Sequence, residues 1–190
     1  VRYTYLLDIT DTDKLWGKLR DRARKKIRRA ENSLVIGDSI DDEEIGRIYE
    51  SIFSARSTEP PLSRKIVTSM VSNLRKSGLV KITTAIESNG ETIAVLALVL
   101  GKDTVYTWVG ATYPEKNYTG SDSLLIWNAI KSNSDTHKKL DMMGANIPSI
   151  AFFKKGFGGA LVPYYVTERY SSLLARTAFR AYSKMKRLFK

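Results

Sequence analysis

The chain has 190 residues, 43% of them hydrophobic and 27% charged, which suits one packed core and excludes a disordered or repeat-built protein. It has no cysteine and a single histidine, His137, so disulfides, thiolate zinc sites, a cysteine nucleophile and a histidine-rich metal centre are excluded, and no metal ligands are assigned. The net charge of +11 calls for an acidic partner (nucleic acid, a pyrophosphate or an anionic membrane face) and is concentrated in residues 14–29 and 176–190.

In chain order, residues 3–9 alternate and are rich in Tyr and Leu, which predicts a strand. Asp11 and Asp13 offer N-cap chemistry for a helix running to residue 30. Leu15, Trp16, Leu19, Ala23, Ile27 and Ala30 form its apolar stripe, and seven Arg and Lys residues cover its other faces. A short strand at 34–36 precedes two helices, one capped by Asp41 and Asp42 and running to 53, the other from 63 to 78. Strands at 80–87, 92–100 and 105–111, joined by Ser88-Asn89-Gly90 and Gly101-Lys102-Asp103, make an antiparallel meander. There follow a helix at 121–132, a short strand at 139–142, a short helix at 150–155 closed by Gly156, a strand at 161–169 and an amphipathic helix at 171–189. The longest apolar run, 93–100, has the length of a strand, so no segment is expected to cross a membrane. The chain begins on Val1 without a signal peptide and reads as a piece of a longer intracellular protein.

Three stretches carry a family resemblance. Leu140-Asp141-Met142-Met143-Gly144-Ala145 leads to Phe153-Lys154-Lys155-Gly156-Phe157-Gly158-Gly159 and Pro163-Tyr164; residues 24–31 read RKKIRRAE; residues 123–130 read SLLIWNAI. Together they resemble the FemABX-like aminoacyltransferases and the related BioF2-like proteins, a branch of the Gcn5-related N-acetyltransferase (GNAT) superfamily. From residue 34 onward the order of elements is also the GNAT order. The resemblance implies an α/β (α+β) fold with a mixed, mostly antiparallel central sheet flanked by helices, a basic N-terminal helix and a basic amphipathic C-terminal helix. On this reading residues 1–32 are a connecting strand and helix, 33–170 the GNAT-like domain and 171–190 the closing helix. The family's enzymes carry two such domains in tandem, and this chain resembles the second, with the first as an expected partner.

The activity so implied is transfer of an aminoacyl group from aminoacyl-tRNA to the amino group of a nucleotide- or lipid-linked peptidoglycan precursor, in the cytoplasm or at the inner membrane face, with no permanently bound cofactor. The alternatives are a coenzyme-A-dependent N-acyltransferase of polysaccharides or sugars, and a basic binding module without catalysis. Lys154, paired with Phe153, is placed by resemblance at the oxyanion, where one positioned donor contributes about 2.7–4 kcal/mol; otherwise it is a solvated lysine before a turn. Asp141, at a strand end, is either the group that takes the amine's proton or a structural carboxylate. The cluster from Arg24 to Arg29, with Arg24, Arg28 and Arg29 foremost, is a candidate for bidentate contact with the pyrophosphate of a nucleotide- or lipid-linked acceptor or for contact along a tRNA backbone, against the alternative of a solvated helix face. Lys155 and Tyr164 are assigned to substrate contact. Gly156, Gly158 and Gly159 either let a donor approach the backbone or simply close a helix and turn.

A coenzyme-A enzyme of this superfamily usually shows Gln/Arg-x-x-Gly-x-Gly/Ala before its long helix. Here the stretch is Asn117-Tyr118-Thr119-Gly120-Ser121-Asp122, in which only Gly120 fits and Asp122 adds negative charge. Gly120 and Ser121 remain the donor-contact candidates, acyl-coenzyme A being the alternative donor. Tyr113, Tyr164 and Tyr165 line a cleft or pack, the three tryptophans read as core, and His137 as exposed and idle. In the last helix Leu174, Ala178, Ala181, Met185 and Leu188 share one side, with Arg176, Arg180, Lys184, Lys186, Arg187 and Lys190 around the rest. Such a helix docks on a domain or rests on an anionic membrane.

Overall fold

A computed structural model describes residues 1–38, 40–55, 57–117, 119–167, 169 and 171–188, with the backbone alone for 175, 180, 183, 184 and 186–188. The basic side chains expected at Arg180, Lys184, Lys186, Arg187 and Lys190 thus lie outside the described ones. Seven strands form one sheet: β1 (Arg2–Asp8), β2 (Val35–Gly37), β3 (Val80–Ile86), β4 (Thr92–Leu100), β5 (Thr104–Thr112), β6 (Lys139–Asp141) and β7 (Ala160–Tyr164). Their order is β2-β3-β4-β5-β6-β1-β7, and every neighbouring pair is antiparallel except β5 and β6. The first strand of the chain therefore sits between the last two.

β4 is the centre of the molecule. Val95 and Ala97 face one side with Val80, Ile82, Val109 and Ala111, under helices α3 (Asp42–Ser54) and α4 (Arg64–Lys76), which supply Ile45, Ile48, Val67 and Val71. Ala94, Leu96 and Leu98 face the other side. There Leu7, Leu140 and Phe157 join Leu15 and Leu19 around helix α1 (Thr12–Lys18), Ile27 and Ala30 of α2 (Asp21–Glu31), and Leu124, Leu125 and Ile130 of α5 (Ser121–Lys131). A strand buried on both faces reads as an unbroken apolar run, which is the pattern of residues 93–100.

The helix expected from 11 to 30 is two helices. Leu19 and Arg20 are extended (ψ 140° and 146°), and the Arg20 N–H donates 2.9 Å to the carbonyl of Gly156 instead of into its own helix. The turn after α6 (Pro148–Lys155) docks at this break. Gly158 there has φ +76°, and a Cβ on it would lie 2.9 Å from the Lys18 carbonyl, so close packing against α1 is what requires glycine. β7 ends at Tyr164, not near 169, because Tyr164 pairs with Arg2, at the start of its partner β1. The closing helix α7 runs from Leu173 to Leu188. Among the described residues no helix is long and apolar enough to cross a membrane.

Candidate active site

The sheet opens between β5 and β6. Their parallel pairing spans only Thr104 to Tyr106 against Lys139 to Asp141. β5 runs on to Thr112, still paired with β4, while the chain beyond Asp141 follows β1, with Met142 N–H donating to Tyr5 O (2.9 Å) and Ala145 N–H to Tyr3 O (2.7 Å). Residues 107–112 and 142–146 thus flank a wedge that starts at Asp141.

Asp141 is held at the apex. One carboxylate oxygen accepts the hydroxyl of Thr4 and, at 2.7 Å, the N–H of Met143. Met143 and Gly144 both have positive φ, +46° and +50°, a costly conformation for Met143. This turn, strained at Met143, brings three successive carbonyls onto Lys154. Its ammonium donates to Met142 O at 2.6 Å, to Met143 O and to Gly144 O at 3.0 Å, which uses all three of its N–H bonds. Burial pushes the Lys154 pKa down to about 8, with the charge of Asp141 opposing the shift. Lys154 is therefore no solvated lysine. Within this conformation it braces the wall of the wedge, and a developing oxyanion would have to replace one of its carbonyls. Phe153 turns the other way, its ring edge-on to buried Phe157 with centroids 5.4 Å apart, and so anchors the helix that carries Lys154.

The second feature is an open depression of about 510 Å³ lined by Asp21, Arg22, Lys25, Lys26 and Arg29 of α2 and by Thr119. The basic cluster has two faces. Arg24 pairs with Asp21 and donates to the carbonyls of Trp16 (3.3 Å) and Gly17 (3.2 Å), capping the end of α1. Arg28 lies over the Trp16 ring at 5.7 Å, and that ring is 4.7 Å from Trp127. Of the three expected phosphate-binding arginines only Arg29 faces the depression. In sequence Lys25 and Lys26 figure only as part of the 24–29 cluster and Arg22 is not named as a site residue, although their spacing with Arg29 (i, i+3, i+4, i+7) marks one helix face beside the one that buries Ala23, Ile27 and Ala30.

Gly120 opens α5 at the rim of this depression. Its φ is +83°, and a Cβ would meet the Lys26 carbonyl at 2.9 Å, so α2 crosses directly over the start of α5. Ser121, however, is buried, with its hydroxyl 3.3 Å from that of Thr112. Two of the three first-turn N–H groups have side-chain partners nearby: Ser121 N–H donates to Thr119 Oγ1 at 3.3 Å and Ser123 N–H to Asp122 Oδ1 at 2.7 Å. Positive charge in the depression therefore comes from α2 side chains more than from a helix terminus.

The remaining candidates disperse. Lys155 is exposed on α6, and Tyr164 is half-buried on the edge strand β7, away from the α2 depression's lining. Tyr113 does not line an open cleft through its hydroxyl, which donates to Glu44 at 2.8 Å; burial and that carboxylate push its pKa up to about 12. His137 is half-buried rather than exposed, its Nε2 3.1 Å from Gly101 O and its Nδ1 2.8 Å from the Thr136 hydroxyl, tying the β4–β5 turn to the segment before β6.

A family model described as "Acetyltransferase (GNAT) domain" matches residues 17–155. Among solved structures the chain is similar to FemX, with TM-score 0.73 and 11% identity over 85% of this chain and 60% of that one. It is similar to the C-terminal domain (DUF2156) of a putative lysylphosphatidylglycerol synthetase from Agrobacterium fabrum, with TM-score 0.66 and 13% identity over 95% of this chain and 63% of that one. A putative acetyl transferase from Pyrococcus furiosus aligns at TM-score 0.52 and 16% identity, over 72% of this chain and 99% of that one. The chain thus spans about three fifths of the first two structures. No curated protein matches the sequence.

Proposed function

The chain belongs to the acetyltransferase (GNAT) domain family, and from that premise we propose that it transfers an aminoacyl group from aminoacyl-tRNA to the amino group of a cell-wall precursor peptide. Acyltransfer is the family's chemistry; donor and acceptor are the proposal. One observation carries it: four cationic side chains, Arg22, Lys25, Lys26 and Arg29, surround an open depression beside a helix start at which the Ser121 and Ser123 N–H groups are already engaged. A backbone cradle for one compact pyrophosphate is thereby disfavoured, while a row of long cations along α2 suits successive phosphates of a nucleic-acid strand. The fold likeness to FemX and to a domain named for lysylphosphatidylglycerol synthesis supports an aminoacyl donor.

In this reading the wedge between β5 and β6 receives the aminoacyl end. The acceptor nitrogen attacks the ester carbonyl carbon, the ester C–O bond breaks, and the ribose hydroxyl leaves with a proton. Asp141 receives the proton lost by the amine and returns it to the departing ribose oxygen, so that the carboxylate is regenerated. Lys154 supplies positive potential to the oxyanion, giving up one carbonyl contact as the charge develops. A second domain presents the acceptor.

The coenzyme-A reading is favoured by one observation, left-handed Gly120 at the rim of a cationic depression. Binding of charged tRNA and of acetyl-coenzyme A, each over a range of salt, separates the two. With tRNA, log affinity is expected to fall with log salt, and replacing Lys25 and Lys26 by Ala to flatten the slope by about 1.5. Tight calorimetric binding of acetyl-coenzyme A, with tRNA affinity indifferent to Lys25 and Lys26, would overturn the aminoacyl-tRNA reading.

A further inference from the structure

Helix α7 presents an apolar face that the domain leaves in solvent. Leu174 is 81% exposed, Tyr182 59% and Met185 55%, and Ala178 and Ala181 between them are exposed as well. At 100° per residue these five fall within one arc of the helix. Exposed Arg176 lies on the opposite arc. The sequence from 171 to 190 holds six basic residues and no acidic one, so this tenth of the chain carries more than half of the +11 net charge. No other described segment joins an uncovered apolar arc to one-signed charge in this way.

We infer that α7 is a membrane-surface anchor that lies flat on a bilayer rich in anionic lipid. The charge decides among occupants. A second copy or a basic partner helix would bring six more positive charges against the first six, whereas an anionic headgroup layer neutralises them while the apolar arc enters the acyl boundary. Sixteen residues extend about 24 Å, and the helix falls short of the length and apolarity of a membrane span, so it lies on the surface rather than crossing. This inference is independent of which donor the β5–β6 wedge takes.

The test is co-sedimentation of the full chain with large unilamellar vesicles of phosphatidylcholine alone and of phosphatidylcholine with 30% phosphatidylglycerol. Binding is expected only to the anionic vesicles, and is expected to weaken between about 0.1 and 0.5 M salt as the Debye length shortens. Leu174→Asp with Met185→Asp should abolish it without moving the thermal midpoint. Arg176→Glu should lower the partition coefficient by about 5-fold or more. The variant Lys25→Ala with Lys26→Ala serves as control for the other basic helix and should bind vesicles as the parent does. Equal binding to both vesicle types, no binding to either, or binding lost in the α2 control and kept in the α7 variants would overturn the inference. So would a concentration-dependent dimer that Leu174→Asp with Met185→Asp dissolves while vesicle binding persists.

Discussion

Lys154 gathers the hydrogen bonding and charge of the wedge wall in one residue. Its three N–H bonds gather the carbonyls of Met142, Met143 and Gly144, and its charge faces Asp141. An unfolded lysine keeps its proton to about pH 10.4, while the folded one releases it near 8. Between those values the unfolded state binds more protons, so this group makes stability rise with pH. Urea midpoints of the parent and of Lys154→Met, measured at pH 7.5 and 9.5, should therefore diverge in the parent's favour at the higher pH. A constant gap would mean that the three carbonyls hold the proton in place. Asp141→Asn retains an acceptor for Thr4 and Met143 but removes the charge. It is expected to leave the fold intact and to lower kcat by about 10²–10⁴, the range for a lost general base; unchanged single-turnover acyl transfer would show Asp141 to be structural. The sequence marked Asp141 and Lys154 as separate candidates. Their common partner, the strained turn at Met143, was not legible, because nothing in a methionine signals positive φ.

At the scale of elements, α2 separates two tasks by face. Ile27 and Ala30 are fully buried against the α5 side of the sheet, and Arg22, Lys25, Lys26 and Arg29 look outward. Ile27→Ala should cost about 2–5 kcal/mol of stability in chemical denaturation, as for other fully buried aliphatic side chains. Arg29→Ala should shift stability by no more than about 0.5 kcal/mol while weakening the phosphate-bearing ligand in a binding titration. Arg24→Ala belongs with the first group, since its guanidinium caps the α1 carbonyls of Trp16 and Gly17. The apolar stripe of residues 15–30 was fully legible as helical. The break at Leu19 and Arg20 was not, because the bond that makes it comes from Gly156, 136 residues away in sequence.

Across the whole molecule, the insertion of β1 between β6 and β7 makes the chain's first segment an internal strand that holds the last two strands in the sheet. β1 supplies buried Tyr5 and Leu7 and the pairing of both neighbours. Deleting residues 1–8 would leave β6 and β7 unpaired on those sides and Asp141 without Thr4. Loss of a cooperative urea transition by far-ultraviolet circular dichroism is the expected result, and a truncated chain that still unfolds in one sharp step would refute it. The same insertion opens the wedge: β6 pairs with β5 for three residues and the following segment turns to β1.

The sequence by itself determined the element types and most of their bounds, the mostly antiparallel meander, the amphipathic faces of α2 and α7 and the candidate chemistry of Asp141 and Lys154. The elements and faces rest on local periodicity, turn chemistry and residue type, which neighbours along the chain suffice to express; the roles of Asp141 and Lys154 are what the family resemblance implies. Only the tertiary structure decided that Arg24 and Arg28 brace α1 and Trp16 while Arg22, Lys25, Lys26 and Arg29 share an open depression. It also decided that Ser121 is interior, that Lys154 is enclosed by carbonyls, and that β1 lies among the last strands. Those outcomes depend on contacts between segments far apart in sequence, where burial and hydrogen-bond partners are set by the packed sheet and not by the residues alongside.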